Sequence, residues 1–216
     1  HSAELAFAWD KLAAQSKCPL LGFDWFRACA ATIHASDDLR IIVVYGGSDI
    51  SAIAPLVISR RTGVPRLEIL GTSVLYEPSG LLYDSRQSLA YLISCALQLR
   101  IPICLLRVRD NDEICSVVNE LPTRRAITIV RETAPSLYLE LGETWDDLVA
   151  SMSSNRRYDF KRKRKKAEKI GAVVVEDIRP SEQDLSELFD RAVAIEHASW
   201  KGRDGSSLFA NNELRH

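Results

Sequence analysis

Through the first part of the chain the apolar residues fall on a helical period. Leu5, Trp9 and Leu12 predict a helix over 3–15, and Trp25, Phe26, Cys29 and Ile33 predict a second from about 24. The period then shortens. A β-branched stretch over 39–45, the turn Gly46-Gly47-Ser48-Asp49 and a further stretch over 50–59 read as an antiparallel hairpin. Thr62-Gly63-Val64-Pro65 turns the chain into a third strand over 66–70.

Residues 72–84 show no long period and hold Pro78, Ser79 and Gly80, so a loop is expected, with a short extended piece over 80–83. Ser85 is placed to cap a helix over 87–99, and the apolar run 103–108 predicts a buried strand. Asp110 or Asn111 is placed to cap a helix reaching about 121, and 125–130 and 137–141 read as further strands. The order gives an α/β (α+β) class, a mixed sheet flanked by helices.

After Gly142 the pattern changes. Thr144 caps a helix starting at Trp145, and 153–170, strongly charged and without Gly or Pro, predicts a basic helix ended by Gly171 at C′. Residues 172–178 alternate like a strand, and Ser181 caps an amphipathic helix through about Trp200. One strand buries no sheet by itself. The expectation is therefore a first domain over 1–142 and the beginning of a second over 143–216, incomplete at His216.

Composition narrows the function classes. With 28 Lys and Arg against 29 Asp and Glu the net charge is -1, so no global field draws the chain to nucleic acid or anionic lipid; such a partner must meet a local patch. A hydrophobic fraction of 46% supplies a core. No apolar run approaches the roughly 20 residues a membrane span requires, and no basic segment precedes an apolar leader. Cys18, Cys29, Cys95, Cys104 and Cys115 form no CxxC pair, which predicts reduced thiols and a cytoplasmic setting.

The local patch is Arg156, Arg157, Lys161, Arg162, Lys163, Arg164, Lys165, Lys166 and Lys169, offset by Asp159 and Glu168. Ammonium and guanidinium groups match phosphate oxygens, whether of a polyanion such as RNA or of a cofactor; the plain alternative is a solvated helix face. Tyr158 and Phe160 are the nearby aromatics for base stacking. Arg60-Arg61-Thr62-Gly63-Val64-Pro65 approximates a pyrophosphate loop, but Pro65 lacks an N–H and the segment joins two strands, so a hairpin turn is expected. Glu196-His197 lacks the second histidine of a zinc site, and Cys29 and His34 are spaced to point apart on a helix; no metal and no nucleophile–base pair are expected. His34 and His197 read as surface or capping residues. Two loop-borne candidates for substrate or phosphate contact remain, Tyr76-Glu77 and Trp200-Lys201.

Taken in order, Pro19 through Asp24-Trp25, Ala54-Pro55-Leu56, Leu67-Glu68-Ile69-Leu70-Gly71, Gly80-Leu81-Leu82, Trp145, the Arg156-Arg157 helix and Ser199-Trp200-Lys201 form a pattern. It resembles GNAT-like acyltransferases of the cellulose-biosynthesis CelD or BcsL type, relatives of the FemAB peptidyltransferases. The resemblance implies tandem GNAT-like units, the first without a cofactor loop and the second binding acetyl-CoA or another acyl-CoA. It implies transfer to a small-molecule or saccharide acceptor in polysaccharide or envelope biosynthesis, with no DNA partner and no membrane span. Catalytic and cofactor-binding residues are implied beyond His216, so this portion is expected to be inactive by itself.

Overall fold

The computed structural model describes residues 2–207 other than 17, 62, 76, 79, 110, 122–125, 134–138 and 140. It is an α/β structure in which two compact units separate, one on His1–Thr133 with Gly205–His216 and one on Ala134–Asp204.

The first unit begins with α1 (Ser2–Ser16), a 3-10 turn at Pro19–Leu21 and α2 (Phe23–Ala31). Trp9 fixes this corner. Its ring meets Phe23 edge-on with centroids 5.6 Å apart, and its indole N–H donates to the Leu21 carbonyl at 3.0 Å, so the buried ring leaves no orphan donor. The Asp10 carboxylate accepts from the Phe23 N–H at 2.9 Å, one of the donors a helix N-terminus leaves unsatisfied.

Three strands follow, β1 (Asp38–Gly46), β2 (Asp49–Ser59) and β3 (Arg66–Ile69), each antiparallel to the one before. A one-turn α3 (Thr72–Leu75) and β4 (Leu82–Tyr83), which pairs with β2, lead to α4 (Arg86–Gln98). The α4 crossover delivers β5 (Ile103–Cys104) parallel to β3, and α5 (Glu113–Asn119) closes the series. The sheet order is β1-β2-β3-β5, with β4 on β2. Successive strand residues face opposite sides of a sheet, yet Ser51 through Ser59 are all buried. Both faces of β2 are therefore covered. Ile53, Leu56, Leu67, Ile69, Leu89 and Leu92 make the centre of the core, each contributing roughly 1.5–3 kcal/mol by burial.

Local chemistry explains the ends. The Ser85 side chain accepts from the Ser88 N–H as expected of an N-cap. The cap of α5 is Asp112, which accepts from the Ile114 N–H; it is not Asn111, and Asp110 lies outside the described residues. The expected strand over 103–108 stops at Cys104, and Arg107 adopts a φ of 55°, which no strand tolerates. Of the expected strand over 125–130, residue 125 lies outside the described residues, 126–130 carry no ladder, and Ile127, Ile129 and Val130 are exposed; β-branched composition favours a strand only where a neighbouring strand packs and pairs with it. Of the expected strand over 137–141, residues 137, 138 and 140 lie outside the described residues, and 139 and 141 are not in a ladder.

His34 differs from its expected surface role. It is buried past the end of α2, where Nδ1 lies 2.8 Å from Asp37 and Nε2 accepts from the Gly71 N–H at 3.0 Å. The two contacts define a neutral ring with its proton on Nδ1. Gly71 has a φ of 81°, and a Cβ there would come within 3.0 Å of the Cys29 sulfur. The position thus requires glycine on both counts. Burial pushes the Cys29 thiol up from 9.0 to about 11, against an opposing backbone hydrogen bond. Because the folded value is the higher one, stability is complete below about pH 9 and falls as the pH rises through about 11. Burial, followed by the charges of Asp112 and Glu113, pushes the Tyr83 phenol up to about 12 and adds loss of the same sign at still higher pH. Urea midpoints at pH 8 and pH 11 check this: the decline should be shallower in Cys29→Ala than in the parent chain.

The second unit contains α6 (Trp145–Ser151), α7 (Ser154–Glu168), α8 (Glu182–Ala198) and α9 (Trp200–Arg203). Thr144 and Asp147 form a capping box at α6, and Ser153 and Ser181 cap α7 and α8. The C-cap of α7 is Lys169, and Gly171 does not adopt a positive φ, so it is not the left-handed terminator expected of it. Residues 172–178 form no strand; Val173, Val174, Val175 and Ile178 stand exposed, and the described residues of this unit contain no strand to pair with them. The last helix breaks at Ser199, whose hydroxyl donates to the Glu196 carbonyl and accepts from the Lys201 N–H. A Cβ on Gly202 would run into the His197 carbonyl, which explains the glycine directly after the break.

Candidate functional site

In the first unit the chemistry-bearing residues converge where β3 lies between β2 and β5. Ser59 stands opposite Arg66, Val57 opposite Glu68, and Glu68 opposite Cys104. Alternation puts Arg66 and Glu68 on one side of β3. Glu68 is 0% exposed, with one carboxylate oxygen held by the Arg66 Nε. Its Oε2, and the nearby Ser59 hydroxyl, have no hydrogen-bond partner among the described residues. The hydrogen bond to Glu68 pushes the Arg66 guanidinium up beyond its ordinary range, against burial and with help from the charges of Glu68 and Cys104. The result is an ion pair between a fully buried carboxylate and a half-buried guanidinium, with one carboxylate oxygen left as an acceptor.

This cluster lies beside a parallel ladder that is very short. Leu67 pairs with Ile103 and Glu68 with Cys104, after which β5 ends, while β3 runs one residue further to Ile69. The Arg107 guanidinium reaches back to the Thr72 carbonyl at 2.6 Å, tying together the segments that follow the two strands.

The residues expected from sequence are dispersed. Tyr76 lies outside the described residues. Glu77 lines a hollow with Trp25, Phe26 and Gly71 of about 10 Å³, room for about one water and not for a substrate. Arg60 and Gly63 form a turn, the Gly63 N–H donating to the Arg60 carbonyl at 2.9 Å, and not an anion loop.

In the second unit, Arg157 turns away from solvent and donates to the Met152 carbonyl at 2.5 Å, with Ala150 and Val149 further off at 3.4 and 3.5 Å, capping the end of α6. That cation is committed to the backbone. Arg162 and Lys163 pair with Asp159, whose carboxyl they hold below its ordinary range, and Arg164 pairs with Glu168. Arg156, Lys161, Lys165, Lys166 and Lys169 have no ion-pair partner among the described residues. Lys161, Lys165 and Lys169 recur every fourth residue and so share one stripe, alongside the exposed Tyr158. Trp200 is exposed at the start of α9, and Lys201 binds Glu196 at 3.4 Å instead of the last carbonyls of α8.

Among the described residues no helix is long and apolar enough to cross a membrane, and no group of three or more His, Cys, Asp or Glu is placed to hold a metal. No family model, curated protein or solved structure matches the chain.

The Arg66–Glu68 pair was missed by sequence reading because Leu67-Glu68-Ile69-Leu70 looks like an ordinary alternation with its charge outward. The available signal was the opposite charge two residues earlier, on the same side of the strand.

Proposed function

We propose that this chain belongs to an acyl-CoA-dependent N- or O-acyltransferase of the GNAT-like kind, acting in polysaccharide or cell-envelope biosynthesis in the cytoplasm. The observation that carries the reading is the element order of the first unit: two helices, an antiparallel three-strand meander, then a helical crossover into a strand parallel to the third. That is the order the sequence resemblance implies for a GNAT-like half. The reading is one of fold, and fold alone fixes no chemistry. In the reaction proposed, a substrate amine or hydroxyl attacks the thioester carbonyl, a general base takes its proton, and backbone N–H groups hold the oxyanion. The free thiols of Cys18, Cys29, Cys95, Cys104 and Cys115 support a reducing compartment. Calorimetric titration of acetyl-CoA into the native full-length protein should give saturable heat; absence of binding by acetyl-CoA and longer acyl-CoAs removes the proposal.

A second reading, a non-catalytic module for RNA or another polyanion, is favoured by the Lys161, Lys165 and Lys169 stripe. If it holds, filter binding of single-stranded RNA weakens steeply with salt, and Lys→Gln at these positions lowers the slope of log K against log salt by about 0.7 for each phosphate no longer neutralised. A flat salt profile excludes it.

A further inference from the structure

The end of the β1–β2 hairpin and the outer side of α4 form a cleft of about 510 Å³, lined in part by Tyr45, Ser51, Gln87, Ala90, Tyr91 and Ser94. Small-molecule sites typically occupy roughly 300–1,000 Å³. Two independent features shape it. On the sheet side the register moves from Val44 opposite Ala52 to Tyr45 opposite Ile50, so Ser51 is an additional residue in β2. Such a bulge re-aims the side chains around it and is common beside binding sites. On the helix side Gln87, Ala90, Tyr91 and Ser94 recur at i, i+3, i+4 and i+7 and form one stripe, while Leu89, Leu92, Ile93 and Ala96 are buried in the core. Gln87 and Tyr91 of the stripe are exposed, while Ala90 packs partly against the core and leaves room between its longer neighbours.

The lining selects a chemistry. Among the described residues it contains no Asp, Glu, Lys, Arg or His, so nothing there compensates a charged ligand. Tyr45 and Tyr91 are 65% and 61% exposed, large ring faces left open to water at the cleft. Ser94 donates to the Ala90 carbonyl at 2.9 Å and Ser51 to the Val44 carbonyl at 3.3 Å, so both hydroxyls retain lone pairs as acceptors. The Gln87 amide, exposed and without a hydrogen-bond partner among the described residues, both donates and accepts. The complementary ligand is uncharged, has apolar C–H faces for the rings and carries many hydroxyl groups.

We propose that this cleft is a binding site for a neutral saccharide, with pyranose faces against Tyr45 and Tyr91 and hydroxyls on Ser51, Gln87 and Ser94. Among the described residues no carboxylate pair lines it, so the proposal is one of binding and includes no glycoside hydrolysis. The inference is separate from acyl transfer: acetyl-CoA binding can fail while the cleft still takes sugar, and the reverse.

The test is calorimetric titration of the chain with maltotetraose, cellotetraose and chitotetraose, and with tetragalacturonic acid as the charged comparison. At least one neutral tetrasaccharide should bind. Tyr45→Ala and Tyr91→Ala should each weaken it about tenfold, and Tyr91→Phe should keep most of the affinity. Both rings are exposed, so the thermal midpoint should not move, which separates lost binding from lost folding. No heat from any neutral tetrasaccharide up to about 10 mM, tighter binding of the charged one, or affinity indifferent to both Tyr→Ala changes overturns the proposal.

Discussion

Replacing Arg66 by Ala should cost about 3–5 kcal/mol of stability, because it leaves the Glu68 carboxylate buried with neither oxygen paired. In the native chain one oxygen is held by Arg66 and the other has no partner among the described residues, so Glu68 already lacks half of its compensation. The cost is therefore the penalty of an orphaned charge and not the worth of the ion pair. The double variant Arg66→Met/Glu68→Leu distinguishes the two: it removes both charges and keeps the volume, and should recover most of the loss or exceed the parent, as buried pairs replaced by apolar residues often do. A double-mutant cycle on urea midpoints reads both quantities. A single Arg66→Ala effect below about 1 kcal/mol would mean that Glu68 is solvated in solution.

Truncating Ile53 to Ala should cost about 3–4 kcal/mol. Ile53 is 0% exposed and lies in β2 between Val43 of β1 and Leu82 of β4, so strands on both sides hold the cavity open. The informative comparison is Ile129→Ala. Ile129 sits in a run whose composition reads equally well as a strand, yet it is 73% exposed, and its truncation should stay within about 0.5 kcal/mol. Chemical denaturation of both variants measures the difference between a β-branched residue with a partner strand and one without. Equal costs would place 126–130 in the core.

That pair of isoleucines shows where the sequence was readable. Signals confined to a few neighbouring residues carried over well: the Ser85, Thr144 and Ser181 caps act within their own first turns, and the β1–β3 meander has turns short enough to force pairing. Runs 126–130 and 172–178 have the same β-branched composition as β1, but strand formation needs a partner supplied from elsewhere, which composition does not report. Site chemistry was harder to read for the same reason. The basic stripe of α7 follows from helical spacing alone, whereas the Glu68 burial depends on flanking strands and the Tyr45–Tyr91 cleft on a bulge at Ser51. Arg157 looked like a phosphate ligand because a guanidinium that reaches back to its neighbour's carbonyls is indistinguishable in sequence from one that faces solvent.

The His34 to Gly71 hydrogen bond joins residues 37 apart in sequence, so the segment it closes contains the whole meander. Closing so long a loop carries an entropic cost that only the assembled strands offset. The bond is thus a late event along the folding coordinate, and weakening it should leave the refolding rate nearly unchanged while accelerating unfolding. A histidine that takes no part in any proposed chemistry becomes, in kinetic terms, a latch on the finished meander.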